Sequence, residues 1–285
     1  MATEFIRERS FVANGLTLTA KEWGRSGSIQ VIALHGWLDN AASFDRMLPF
    51  LDNVHVVALD LAGHGRSSHR SEDASYDIWF DIAEVISVAD QMGWDRFALL
   101  GHSRGAIISG LIAGTFPDRI TSLVLIDGYV PMPQEPADAA KQIMKAIREN
   151  KRFAATTPTQ FENFDRAIQA RVNGFVPLEL DAAALLANRG VVEGPAGYYW
   201  ANDQRLKAAS FVKFSKECLE SFLTSVVAPA LLIQAEDSMF SPDRQQSELF
   251  DWIPQMEIIK MPGSHHLHLE EGAERVAEEV KRFLK

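Results

Sequence analysis

Five residues, Gly101-His102-Ser103-Arg104-Gly105, read G-x-S-x-G. In that pattern a serine sits on a sharp strand-to-helix turn and presents its hydroxyl as a nucleophile. A glycine on either side lets the two backbones approach without an intervening Cβ. The pattern alone is weak, since at ordinary Gly and Ser frequencies roughly one chain in ten of this length carries it by chance. Its surroundings decide. Arg96-Phe97-Ala98-Leu99-Leu100 suits a short buried strand, and Ala106 to Ala113 is apolar at helical spacing. A serine hydroxyl is a poor nucleophile at neutral pH. The chemistry therefore also needs a general base, a carboxylate to steady it, and donors for a developing oxyanion.

The elements that must position such a group alternate along the chain. Phe5 to Val12 and Leu16 to Trp23 read as strands joined at Asn14-Gly15, a hairpin dipeptide. Ile29 to Leu34 is a buried-strand run leading into His35-Gly36-Trp37. Ser43 to Leu51 predicts a short helix with Ser43 as its N-cap, and Val54 to Asp60 the next strand. Ile78, Ile82, Val85, Ile86 and Ala89 mark a helix from Ile78 to Met92. Ile120 to Ile126 is a strand closed by Asp127-Gly128. Pro131, Pro133 and Pro136 then break any regular element, and from Ala137 to about Leu223 the pattern is helical with no clear strand. Leu231-Leu232-Ile233 restores a strand, Pro242 to Trp252 reads as a helix, Glu257 to Lys260 as a last strand and Glu270 to Phe283 as a terminal helix. Alternation of this kind predicts an α/β fold, a mostly parallel sheet with helices on both faces. Residues 1–130 and 226–285 would form that core, and residues 131–225 a helical cap inserted where a lid over the carboxyl ends of the strands would begin.

Composition narrows the function classes. The chain has 285 residues, 47% hydrophobic and 23% charged, an ordinary globular balance. A net charge of −10 argues against a nucleic-acid partner and against an anionic-membrane anchor, although the field inside a cleft can oppose the total. No stretch approaches the length of a membrane span, and charges at Glu4, Arg7, Glu8 and Arg9 stand where a signal peptide needs an apolar run. The one cysteine, Cys218, permits no internal disulfide, so a reducing cytoplasm is the expected setting; the thiol reads as packed rather than reactive. The histidines from 265 to 268 invite a metal reading, but no matching Asp, Cys or His spacing elsewhere supports it, and no P-loop lysine or GxGxxG is present. Neither a metal nor an organic cofactor is expected.

Several stretches together carry a resemblance. Val31 to Trp37 with Leu38-Asp39-Asn40, the loop Asp60-Leu61-Ala62-Gly63-His64-Gly65-Arg66-Ser67, the serine turn, and Gly263-Ser264-His265-His266 resemble the α/β-hydrolase superfamily. Within it, His35 to Asp45 and Asn202-Asp203-Gln204-Arg205-Leu206 are similar to the serine hydrolase-like proteins. The resemblance runs from about Trp23 to the terminal helix. It implies an α/β-hydrolase fold in which Ser103 is the nucleophile and the triad follows the chain order serine, acid, histidine.

For the base, the resemblance favours His265, because Glu270 follows five residues later; counting from Gly263 favours His266, and His268 reads as structural or as a pocket wall. The acid is Asp127, at the end of the strand after the serine turn, or Asp237, after the later strand; the serine hydrolase-like pattern leans to Asp127. The backbone amides of Trp37 and Arg104 are the expected oxyanion donors, and the Arg104 side chain is expected to pair with a carboxylate. His35, His64 and His102 read as ligands of loop backbones. Phe153, Phe161, Phe164, Phe175, Tyr198, Tyr199 and Trp200 could line an acyl pocket, although aromatic residues on helices are mostly packing. The implied activity is hydrolysis of small to medium carboxylic esters, a small-molecule substrate. A serine in place of an aspartate at the turn argues against dehalogenase and epoxide-hydrolase chemistry. Thioester hydrolysis, C–C bond hydrolysis and acyl transfer would use the same groups, and a catalytically silent member that binds a ligand is the alternative of another class.

Overall fold

A computed structural model of the chain describes residues 3–25, 28–238, 251–253 and 255–284. The central apolar runs read above are too continuous to leave a sheet face wet, and together with more polar, largely exposed edge strands they pair into eight strands: β1 (Phe5–Ala13), β2 (Leu16–Gly24), β3 (Ile29–Leu34), β4 (Val54–Leu59), β5 (Phe97–His102), β6 (Ile120–Ile126) and, beyond an insertion, β9 (Ala230–Ala235) and β10 (Met256–Met261). Their spatial order is β1-β2-β4-β3-β5-β6-β9-β10. β1 and β2 pair antiparallel, as do β2 and β4; the other pairings are parallel. Asn14 and Gly15 both take positive φ, as the tight hairpin between β1 and β2 requires.

Side chains alternate across a strand, so the central strands feed two cores. Ile32, Leu34, Leu99, Leu123 and Leu125 face one side, under α1 (Ile78–Gln91), α2 (Arg104–Thr115) and α6 (Lys216–Leu223). Val31, Ala33, Leu100, Val124 and Ile126 face the other, under Phe44, Leu48 and α7 (Ala273–Phe283). The fold is therefore the α/β-hydrolase architecture the sequence implies.

The insertion between β6 and β9 holds α3 (Ala139–Ala154), α4 (Phe164–Val172), α5 (Leu180–Gly190), a hairpin of β7 (Val191–Gly194) and β8 (Gly197–Trp200), and α6. A small core joins α4 and α5 through Ile168, Ala183 and Leu186 and takes in Leu269 from beyond the insertion. Its last helix lies on the main core, where Leu219 and Leu223 are buried.

Four expectations change here. The stretch expected to be wholly helical contains the β7–β8 hairpin, because Val191-Val192 and Tyr198-Tyr199-Trp200 favour a pleated surface and Gly197 turns at φ 123°. Ser43 to Leu51 is two short 3-10 turns, Ala41–Phe44 and Leu48–Phe50, in place of one helix. Pro49 has no N–H to continue an α-helix. Asn40, not Ser43, caps the first turn; the Ser43 hydroxyl is taken by His268 Nε2 at 2.9 Å. Cys218 is exposed rather than packed, since Leu219 and Leu223 hold the buried stripe of α6. The helix expected over Pro242 to Trp252 falls mostly on residues 239–250, outside the described residues. Among the described residues no helix is long and apolar enough to cross a membrane.

Candidate active site

Ser103 stands between β5 and α2 at φ 51°, ψ −114°, a conformation that strains any residue with a Cβ. The flanking glycines make it possible. A Cβ on Gly105 would lie 1.9 Å from the Leu34 carbonyl oxygen, and one on Gly101 would lie 2.4 Å from that of Gly105. The Ser103 amide donates to the Ile126 carbonyl at 2.9 Å, so the β5–β6 ladder runs one residue past the strand. That places Asp127 at the neighbouring strand end, itself at φ 42°. Gly128 follows so closely that a Cβ there would come within 2.5 Å of the Ser103 carbonyl oxygen.

Asp127 faces a histidine. Its Oδ2 lies 2.6 Å from His265 Nδ1, and its Oδ1 accepts from the Ala235 amide at 3.0 Å. Both side chains are buried. The His265 carbonyl accepts from His102 Nε2 at 2.9 Å, which anchors the histidine loop to the residue before Ser103. Asp237 is exposed on the turn after β9, with its amide donating to the Gly263 carbonyl at 3.1 Å. Of the two acids the sequence offers, the one joined to His265 Nδ1 is therefore Asp127.

His266 has a carboxylate of its own. Its Nε2 lies 3.1 Å from Asp39 Oδ2, and Asp39 Oδ1 accepts from Arg171 Nη2, on α4, at 2.9 Å. Burial alone would raise the Asp39 carboxyl; His266 and Arg171 outweigh it and hold the group well below the usual carboxylate range. His102 and His268 are held well below the ordinary imidazole range by burial first and by neighbouring histidines second. Asp39, His102 and His266 bring ligand atoms within 4.8 Å of one another. Arg171 already balances that carboxylate and reaches within 3.4 Å of His266 Nε2, so the trio fits an ion-pair network better than a cation site.

The proposed oxyanion donors lie on two backbone turns. The Arg104 amide opens α2, where a helix leaves its first N–H groups unpaired. Its guanidinium turns away to pair with Asp81 at 2.7 Å, inside a buried cluster with Arg70 and Glu84. The turn carrying Trp37 closes with the Asp39 amide on the Gly36 carbonyl at 3.2 Å, and Leu38 takes φ 62°. His35 braces it, Nδ1 to the Gly36 carbonyl and Nε2 to the Leu61 amide. His64 likewise holds the Ala62 carbonyl, at 3.0 Å. Four successive residues of this segment are bonded to the insertion: Trp37 Nε1 to the Leu206 carbonyl at 2.8 Å, the Leu38 carbonyl to Asn202 Nδ2 at 2.8 Å, Asp39 to Arg171, and Asn40 Nδ2 to the Leu186 carbonyl at 2.9 Å.

Sequence reasoning did not single out Asp39, Arg171 or Asn202 as functional residues. Asp39 and Asn202 lie inside the stretches that carry the resemblance, which is the signal that could have found them. Arg171 gives none, because its partner is 132 residues away. Glu270 does not touch His265's ring among the described contacts; it ties Ser264 to the Glu179 amide at the start of α5.

Comparison with known proteins agrees with this architecture. The model of the α/β hydrolase fold family matches residues 30–272. The chain is 30% identical over 286 residues to serine hydrolase-like protein 2 of Homo sapiens, covering 94% of this chain and 90% of that one. It is 30% identical over 282 residues to a probable serine hydrolase of Drosophila melanogaster, covering 94% and 85%. The chain thus belongs to the α/β hydrolases and, among them, to the serine hydrolase-like family. A crystal structure of a hypothetical protein from Pseudomonas aeruginosa PAO1 superposes with a TM-score of 0.92 at 39% identity, covering 98% of each chain. A thioesterase domain from the curacin biosynthetic pathway shares the fold, with a TM-score of 0.85 at 22% identity over 96% of this chain and 98% of that one.

Proposed function

We propose that the protein hydrolyses small to medium carboxylic esters through an acyl-enzyme on Ser103. The observation that carries the reading is the 2.6 Å His265–Asp127 pair beside a serine held in a strained turn. In this mechanism Ser103 Oγ attacks the acyl carbonyl as His265 Nε2 takes its proton. Asp127 fixes the tautomer through Nδ1–H and steadies the imidazolium. The amides of Trp37 and Arg104 receive the oxyanion. His265 then protonates the leaving alcohol, and water repeats the sequence to free the acid and the serine. The insertion acts as a cap over this end of the sheet. A single cysteine, which closes no bridge within these 285 residues, supports work in a reducing compartment.

Turnover of 4-nitrophenyl acetate and butyrate tests the reading. Ser103→Ala and Asp127→Asn are expected to lower kcat by about 10³-fold or more while the fold is retained. Asp237→Asn is expected to keep the parent rate. Absence of turnover on any short acyl ester would overturn the esterase reading, and an Asp127→Asn variant as active as the parent would overturn the triad.

A further inference from the structure

A pocket of about 220 Å³ opens between the insertion and Leu38, one residue from the proposed oxyanion amide of Trp37. Its apolar wall is made by Phe161, Trp200, Pro158 and Ala170. The polar lining is Thr159, Asn202 and Gln204 together with two cations, Arg171 and Lys207. Among the described residues no carboxylate lines it, in a chain whose formal charge is −10. The two cations differ. Arg171 is balanced by Asp39 at 2.9 Å. Lys207 Nζ donates to the neutral Gln204 amide at 2.7 Å, and no carboxylate among the described residues lies within ion-pair distance of it. Elsewhere Lys141 and Lys281 each meet an aspartate, at 2.8 Å and 2.7 Å respectively. The pocket thus combines a short apolar slot with one uncompensated positive charge at its edge. Three of its walls, Leu38, Arg171 and Asn202, belong to the bonding that holds the Trp37–Asn40 segment.

We infer that this pocket binds a carboxylate on a short apolar body, and that it is the subsite for one arm of an ester substrate ending in such an anion. The subsite role rests on the ester hydrolysis proposed above. The carboxylate pocket does not, and binding tests it alone. A carboxylate beside Lys207 gains a Coulomb attraction that a neutral amide of the same shape lacks. Because Lys207 is exposed, that gain falls as salt rises. The apolar body meets the faces of Phe161 and Trp200, which both ligands use equally.

The test is calorimetric titration of the whole protein with 4-phenylbutyrate and with 4-phenylbutyramide at low ionic strength, repeated on Lys207→Met and on Ala170→Trp. Ala170 is exposed on α4, so a tryptophan there fills the slot without entering the core. The parent is expected to bind the carboxylate about fivefold or more tighter than the amide, the factor that a charge pair at ~4 Å gives in water. Lys207→Met is expected to erase that preference, and Ala170→Trp to weaken both ligands by about tenfold or more. Equal binding of the two ligands by the parent, failure of both to bind, a preference that survives in Lys207→Met, or indifference to Ala170→Trp each overturns the proposal. Because the readout is binding, a Ser103→Ala protein that still discriminates between the ligands would separate a failed esterase reading from a failed pocket.

Discussion

At the scale of single residues, the site depends on buried charge held in place by its partners. Asp39 stays ionised because His266 and Arg171 outweigh the cost of its burial. Glu84 is the opposite case. Burial and the nearby Asp81 raise its pKa to about 7, against the pull of Arg70. An acid whose folded pKa exceeds its unfolded one binds its proton more tightly in the native state. Its contribution is full below the unfolded value and is lost as pH rises through the folded one. The Glu84 contribution is therefore expected to be lost between pH 5 and pH 8, while the buried neutral His35, His64, His102 and His268 contribute in the opposite sense; Glu84→Gln is expected to gain stability relative to the parent as pH rises through that range, as melting scans at stepped pH would measure. A Glu84→Gln variant with the parent's slope would place the charge elsewhere. Arg104 joins this cluster to the serine turn, so the slope reports on the ground beneath the helix that follows Ser103.

Among elements, the informative contact is between the insertion and the Trp37–Asn40 segment. Asn202 Nδ2 holds the Leu38 carbonyl and so fixes the peptide beyond Trp37. Asn202→Ala is expected to lower kcat about fivefold with little change in KM, since one hydrogen bond worth about 1 kcal/mol orients the proposed oxyanion donor, which would be used only in the transition state. A matching rise in KM with kcat intact would assign Asn202 to ground-state binding instead. Much of the architecture was readable because each strand is a short apolar run between turn residues, and the Ser103 turn was readable because two glycines flank it. The β7–β8 hairpin was harder to see, since Val191-Val192 directly continues α5 and its partner strand is only four residues long. The choice between His265 and His266 was legible only as a lean to His265, from the resemblance and the place of Glu270 five residues on. Each has a buried aspartate, one 138 and the other 227 residues away, and only the sheet order shows which aspartate stands beside Ser103.

In the whole molecule, a second ion network, buried at Arg189 and Asp60 and open to solvent at Glu8, joins the insertion to the far edge of the sheet. Arg189 on α5 meets Asp60 at 2.9 Å and Glu8 on β1 at 2.7 Å. Asp60 also accepts from the Ala41 and Arg66 amides, at 2.7 Å and 2.8 Å, so it ties the loop after β3 to the loop after β4. Arg189→Met leaves Asp60 buried without its cation and is expected to cost about 3–5 kcal/mol in denaturant unfolding. Loss of less than about 1 kcal/mol would mean that the backbone amides alone satisfy Asp60.

The run of bonds from Trp37 to Asn40 has one more consequence. A hinged flap can lift away because the floor beneath it stands without its help. Here the roof and the floor are stitched residue by residue, and lifting one unmakes the other. The pocket walled by Leu38, Arg171 and Asn202 therefore keeps its shape only while those bonds hold, so its dimensions belong to the closed seam and not to either side alone.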